Sequence, residues 1–184
     1  SLNAGSLWGR PFYILREAWN ILNAIAEGKI ESGDEKKLNA LKGETMAVIA
    51  LCQFDLTRCF GYPYTKDNGA SLGAPLIDHL VGTYENPSRS TVAQAYDFII
   101  ETLEEAVTLM SEEKNNGRMN KYAARALLAR VYLYHNDNRK AFDMADQLIK
   151  DVDASGSYAL YPHEKYVAAW SVETKFGSES FFEI

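Results

Sequence analysis

Two cysteines and three histidines are the whole stock of thiol and imidazole groups in these 184 residues, too few and too scattered to build much chemistry. Cys52 and Cys59 stand seven positions apart. On one helix that is about 10.5 Å along the axis, beyond the roughly 7 Å between Cα atoms that a disulfide spans. They are expected as core thiols and say little about the redox compartment. His79, His135 and His163 are dispersed, and none sits in an HExxH pattern. A GxSxG elbow, a Walker loop and a dinucleotide fingerprint are missing too, so no catalytic residue, metal ligand or cofactor is assigned. No apolar stretch approaches the roughly 20 residues that cross a bilayer. Basic clusters are absent as well: 19 Lys and Arg stand against 25 Asp and Glu, a net charge of −6. Without a cationic footprint for phosphates, nucleic acid is not an expected partner.

Acidic residues are plentiful, so some pair always falls at glycosidase spacing, and Glu44 with Asp55 or Glu104 with Glu105 is read as a solvated helix face. The stretch from Asp151 to Gly156 begins like a calcium loop, but Pro162 stands where the closing bidentate Glu belongs, and a plain turn is expected. Pro87 likewise removes Asn86-Pro87-Ser88 as a glycosylation acceptor.

What the chain does hold is helix pattern, densest from Gly117 to Asp151. Between Tyr122 and Tyr134 only Arg125 and Arg130 are charged, which predicts a helix that is apolar nearly all round and buried. Small Ala123, Ala124, Ala126 and Ala129 permit close approach of a neighbour. Asn136-Asp137-Asn138 breaks the pattern, and Ala141, Ala145, Leu148 and Ile149 mark a second helix. So short a turn makes an antiparallel αα-hairpin. Ala129, Tyr132 and Ala141 fall at the spacing of a tetratricopeptide unit, although its usual Trp and closing Pro are missing.

The rest of the chain follows in order. Residues 9–27 predict a first helix with Pro11 in its first turn and Tyr13, Ile14, Ala18, Ile21, Leu22 and Ile25 facing inward, stopped by Gly28. Asp34 is the expected N-cap of a longer helix with Leu38, Leu41, Thr45, Val48, Ile49, Cys52 and Leu56 on one stripe, ending at Gly61. Gly61 to Ser90 is rich in Gly, Pro, Asn and Asp. Loops beyond about 12–15 residues are uncommon in compact domains, and the six large apolar or Tyr side chains Tyr62, Tyr64, Leu72, Leu76, Ile77 and Tyr84 predict order rather than disorder. After Ser90 or Thr91 as N-cap, Val92 to Met110 carries a third helix. A short helix is expected near Glu164 to Trp170, and Ser180 to Ile184 (SFFEI) reads as a strand without a partner, as though the chain were cut before its natural end. The expected fold is all-α: one helical domain over residues 1–184, with tetratricopeptide-like hairpins, a long ordered loop and a short C-terminal strand.

Five ordered blocks now carry a family resemblance: LKGETMAVIALCQFDLTRCFGYPY (41–64), LGAPL (72–76), NPSRSTVAQAYDFIIETLEEA (86–106), GRMNKYAARALLARVYLYHNDNRKA (117–141) and the terminal SESFFEI. Together they resemble the SusD/RagB family of nutrient-uptake outer-membrane lipoproteins of Bacteroidetes. Ile49-Ala50 departs from the Arg-Ala of many relatives. Members are typically more than twice as long, so the chain is expected to be the N-terminal part of a larger protein. The resemblance implies a non-enzymatic, surface-exposed binding protein held at the outer membrane by a lipid anchor that these residues do not contain. Its implied partners are an oligosaccharide, or in some members a peptide, and a SusC-like TonB-dependent transporter. A reading from a different class is a tetratricopeptide-type scaffold for a peptide or protein.

The family's ligand contacts lie largely in variable loops, which directs the search to Gly61–Ser90. Tyr96, Tyr122, Phe142, Trp19 and Phe54 fall on helical stripes and are expected in the core. Tyr62, Tyr64 and Tyr84 do not. A flat ring with a polar tip suits the apolar face and hydroxyls of a sugar, and Asp67 and Asn68 offer hydrogen bonds beside the same turn. These five are the candidate ligand-binding residues. The alternative, equally open from sequence, is that the tyrosines pin the loop to the helices beneath.

Overall fold

The computed structural model describes residues 4–30, 32–170 and 176–182. Helices α1 (Ala4–Ala26), α2 (Glu35–Phe60), α3 (Val92–Leu109), α4 (Lys121–Tyr134) and α5 (Asn138–Ser155) form the body, followed by the one-turn α6 (Tyr166–Ala169). Each long helix after the first begins where a side chain satisfies its first free amides. Asp34 accepts from the amides of Lys36 and Lys37 at 3.0 and 3.3 Å. Thr91 and Gln94 form a reciprocal capping box on α3. Asn120 accepts from the Ala123 amide at 3.0 Å and Asp137 from the Lys140 amide at 3.1 Å. The α4–α5 turn closes with Asn136 in the left-handed region (φ 71°), a conformation Asn tolerates better than most residues.

Helix α2, not the hairpin, occupies the centre. Thr45, Ile49, Cys52 and Leu56 face α1, whereas Met46, Ala47, Ala50 and Phe54 join the larger core shared by α3 and α4. That two-sided burial explains why a one-stripe reading of α2 fell short. Burial, with a smaller effect from Asp55, pushes the Cys52 thiol up to about 12, while Cys59 is exposed; both are free.

Several inward faces differ from expectation. On α1 the buried residues are Leu15 and Ala18, with Leu22 beside them, while Tyr13 is 62% exposed. Pro11 lies inside α1 rather than at its start. Trp8 packs edge-on against Phe12 at 5.0 Å and Phe60 at 4.7 Å, and this contact steadies a turn that lacks Pro11's amide hydrogen bond. Phe142 (66% exposed) and Ile149 (62%) leave the core, because α5 is an outer layer that buries only the narrow stripe Ala141, Leu148 and Val152. Ala124 is fully buried, and Ala129 only half so. Asp151 to Ser155 is the last turn of α5 rather than a loop, and Asp151 pairs with Arg125 at 2.7 Å.

The short sheet lies inside the long loop. Strand β1 (Leu72–Pro75) runs antiparallel to β2 (Arg89–Thr91), Leu72 opposite Thr91 and Pro75 opposite Arg89. Ser180–Phe182, expected to open a terminal strand, forms bends instead, and residues 183–184 lie outside the described ones. Its neighbour is the irregular 158–161 stretch, joined through the Ala159 amide and the Ser178 carbonyl at 3.0 Å, so no ladder can form. Phe181 packs edge-on against Tyr158 at 4.8 Å and is half-buried, not exposed.

Helices α2 and α3 approach most closely at Gly43. A methyl group there would lie 2.7 Å from Met110 Cγ and 2.9 Å from the Ala106 carbonyl oxygen. Ala is favoured over Gly inside a helix by about 1 kcal/mol, but overpacking costs about 1–3 kcal/mol, and here the obstacle includes backbone. Gly43→Ala is therefore expected to lower the melting temperature, and a rise would remove this contact from the tight core.

Candidate functional site

The stretch between α2 and α3 is fastened from below by side chains of the helices. Gln53, fully buried on α2, donates its Nε2 to the Pro75 carbonyl at 3.1 Å, and its Oε1 accepts from the Ile77 amide at 3.3 Å. Trp19 of α1 donates its indole N–H to the Ile77 carbonyl at 3.1 Å. Both main-chain groups of Ile77, itself buried, are thus satisfied by side chains from two helices, as a buried backbone outside any ladder requires. Further along, Arg89 donates to the Gly73 and Leu72 carbonyls at 2.7 and 2.8 Å, and Ser90 to Ala74 at 3.1 Å.

The first candidates lie on a turn docked to the start of α3. The carbonyls of Gly69 and Ser71 accept the amides of Ala93 and Val92, both at 2.9 Å. Gly69 has φ +75°, and a Cβ there would meet the Ala93 nitrogen and the Tyr64 ring, each at 2.7 Å, so glycine is needed for both conformation and room.

On this frame the five candidates divide. Tyr64 is half-buried, with its ring 5.7 Å from Tyr96 at 88° and 4.3 Å from His135. It pins the turn to α3 and the end of α4. Asp67 accepts the Ser71 hydroxyl, which is the main influence holding its carboxyl below the usual range, and its Oδ1 is enclosed without a partner among the described residues. Tyr62 is 57% exposed, with Lys66 Nζ 3.0 Å from its ring centroid, a cation–π contact that fixes the ring on one side. Asn68 is exposed at φ 54°. Tyr84 is 95% exposed on a separate turn, whose Gly82 amide donates to Glu85 at 3.0 Å.

Between α1 and this excursion lies a mainly apolar hollow of about 300 Å³ lined by Phe12, Arg16, Pro75, Ile77, His79 and Val81. The side chains that face outward here are rings, amides and hydroxyls. They suit stacking and hydrogen bonding rather than proton transfer. The carboxylates singled out in the sequence are all engaged as braces. Glu44 holds Arg118 and the Met119 amide (3.0 Å), Asp55 pairs with Arg58 at 2.8 Å, Glu104 accepts the Tyr132 hydroxyl at 2.5 Å, and Glu105 pairs with Lys42 at 3.0 Å. Glu44 in particular is a cross-brace from α2 to the start of α4, not the solvated face expected of it.

Residues 3–133 match the model of a family described as starch-binding and associating with the outer membrane. The chain belongs to the SusD-like family. A SusD superfamily protein from Bacteroides vulgatus is 96% identical over all of the chain, with a TM-score of 0.96. Another from Bacteroides thetaiotaomicron is 41% identical over 96% of the chain, with a TM-score of 0.89. Surface glycan-binding protein A from Bacteroides uniformis shares the fold at 20% identity, with a TM-score of 0.79 over 98% of the chain. The chain spans 41%, 38% and 38% of the lengths of these three proteins. No functionally curated protein matches the sequence. This SusD-like chain shows the mostly helical architecture, with a tetratricopeptide-like hairpin in α4 and α5.

His79 sets the charge of the outer turn. Its ring nitrogens lie 2.6 Å from Asp78 and 2.7 Å from Glu85, and Asp78 first, then Glu85, raise its pKa above the ordinary 6.5. Glu85 is lowered in return, chiefly by the Gly82 amide and next by His79. A raised basic group stabilises fully below its unfolded value, about 6.5, and that contribution fades as pH rises through the folded value. An NMR titration should place the His79 midpoint above 6.5 and show it falling in Glu85→Gln; a midpoint at or below 6.5 would contradict the arrangement.

Proposed function

We propose that this chain is the glycan-capturing part of a cell-surface lipoprotein that delivers oligosaccharides to a SusC-like TonB-dependent transporter in the outer membrane. It acts by binding, without chemistry of its own. The observation that carries this reading is a loop fastened by buried hydrogen bonds that nevertheless leaves Tyr62 and Tyr84 open to solvent. Rings held this way bring stacking area with little loss of conformational entropy on binding. The family description as starch-binding and the glycan-binding relative of the same fold support the choice of ligand.

In this reading Tyr62, Asn68 and Tyr84 meet the sugar, while Tyr64 and Asp67 support the turn that presents them. Calorimetric titration with maltoheptaose and laminarihexaose, beside thermal melts, separates the roles. Tyr62→Ala or Tyr84→Ala should weaken binding by about 1–3 kcal/mol, in line with stacking on other ring ligands, and leave the melting temperature unchanged. Tyr64→Ala should lower the melting temperature instead. Unchanged affinity in both exposed-tyrosine variants would move the site elsewhere. A tetratricopeptide-type peptide scaffold would bind neither oligosaccharide.

A further inference from the structure

The stretch after α5 builds a second hollow, distinct from the long loop, of about 380 Å³ and lined by Tyr161, Tyr166, Trp170, Gly177, Glu179 and Ser180. Its walls come from two segments sewn together. The Ala159 amide donates to the Ser178 carbonyl at 3.0 Å, the Tyr161 amide to Glu179 Oε2 at 3.2 Å, and Lys114 Nζ to the Gly177 carbonyl at 2.9 Å while lying 4.4 Å from the Tyr158 ring centroid. Gly177 is required here for space, because a Cβ would fall 2.0 Å from the Tyr161 hydroxyl, so that phenol lies directly on the backbone.

Two large rings in this hollow have no core to fill. Trp170 is 77% exposed and Tyr166 54%, and they meet edge to face at 6.2 Å and 70°. Carrying both on α6, four positions apart on one face, sets them as adjacent walls rather than as independent surface residues. An exposed indole is the widest stacking surface a protein offers, and the hollow adds a carboxylate and two hydroxyls. That combination matches the apolar face and polar rim of a pyranose ring better than it matches an aliphatic side chain, which has no use for Glu179.

The geometry points to a pyranose subsite here: Trp170 and Tyr166 stack a sugar ring, and Glu179 and the Tyr161 hydroxyl bond its hydroxyl groups. The assignment rests on the glycan-binding reading above but not on the loop that carried it.

The same chain is titrated with maltoheptaose and laminarihexaose, with Trp170→Ala, Tyr166→Ala and the conservative Trp170→Phe alongside Tyr62→Ala and Tyr84→Ala. The subsite predicts that Trp170→Ala and Tyr166→Ala each weaken binding about tenfold, a typical loss for one stacked ring. Trp170→Phe should recover most of it, and melting temperatures should not move because both rings are exposed. Full affinity in Trp170→Ala and Tyr166→Ala, with losses in the loop variants, overturns the subsite and leaves the proposed function standing. A melting temperature lowered by several degrees in Trp170→Ala overturns it too, since the ring would then brace the fold. A wild-type chain that binds neither oligosaccharide removes both readings.

Discussion

The buried carboxamide of Gln53 is the contact on which the rest of this molecule's surface depends. It sits in the middle of the central helix, where an apolar side chain would ordinarily be, and it engages Pro75 and Ile77 of a connection that has no ladder of its own at that point. A polar group so placed is costly unless fully bonded. Here it is bonded at both ends, and Trp19 from the first helix takes the one main-chain group of Ile77 that remains. The loop is therefore part of the core's hydrogen-bond economy. Its upper side can stay open without the loop becoming loose.

That division between a bonded lower side and an open upper side gives the arrangement its use. Tyr64 faces down toward Tyr96 and His135, while Tyr62 and Tyr84, drawn from the same stretch, face out. Ring area that is exposed and already oriented suits capture of a ligand with flat apolar faces. The carboxylates that might have suggested hydrolysis are spent on cross-braces such as Glu44 to Arg118 and Glu104 to Tyr132. A SusD-like scaffold is in this sense a rigid stack of helices whose connections carry the recognition.

Much of this was legible in the chain itself. Helix caps at Asp34 and Thr91 and the stop at Gly61 are local chemistry and could be read directly. The turn at Asn136 and the family blocks were readable in the same way. What could not be read depends on partners far along the chain. Gln53 looks like an ordinary polar residue until Ile77, 24 positions on, is seen against it. Tyr62 and Tyr64 are two residues apart in the same kind of sequence, and only packing against Tyr96 tells the anchor from the exposed ring. Phe142 and Ile149 misled because hydrophobic spacing marks a helix but not how many layers cover it. The aromatic hollow around Trp170 went unseen because Glu179 and Gly177 reach it from beyond a further stretch of chain.

Amide hydrogen exchange on the unmodified chain tests the central claim most directly. If the connection between α2 and α3 is fastened as part of the core, the Ile77, Val92 and Ala93 amides should exchange slowly, through openings close in free energy to global unfolding, while the amide of exposed Tyr84 exchanges freely. Exchange of Ile77 as fast as that of Tyr84 would mean that the loop detaches from Gln53 and Trp19 in solution, and the preordered recognition surface described for this protein would not exist.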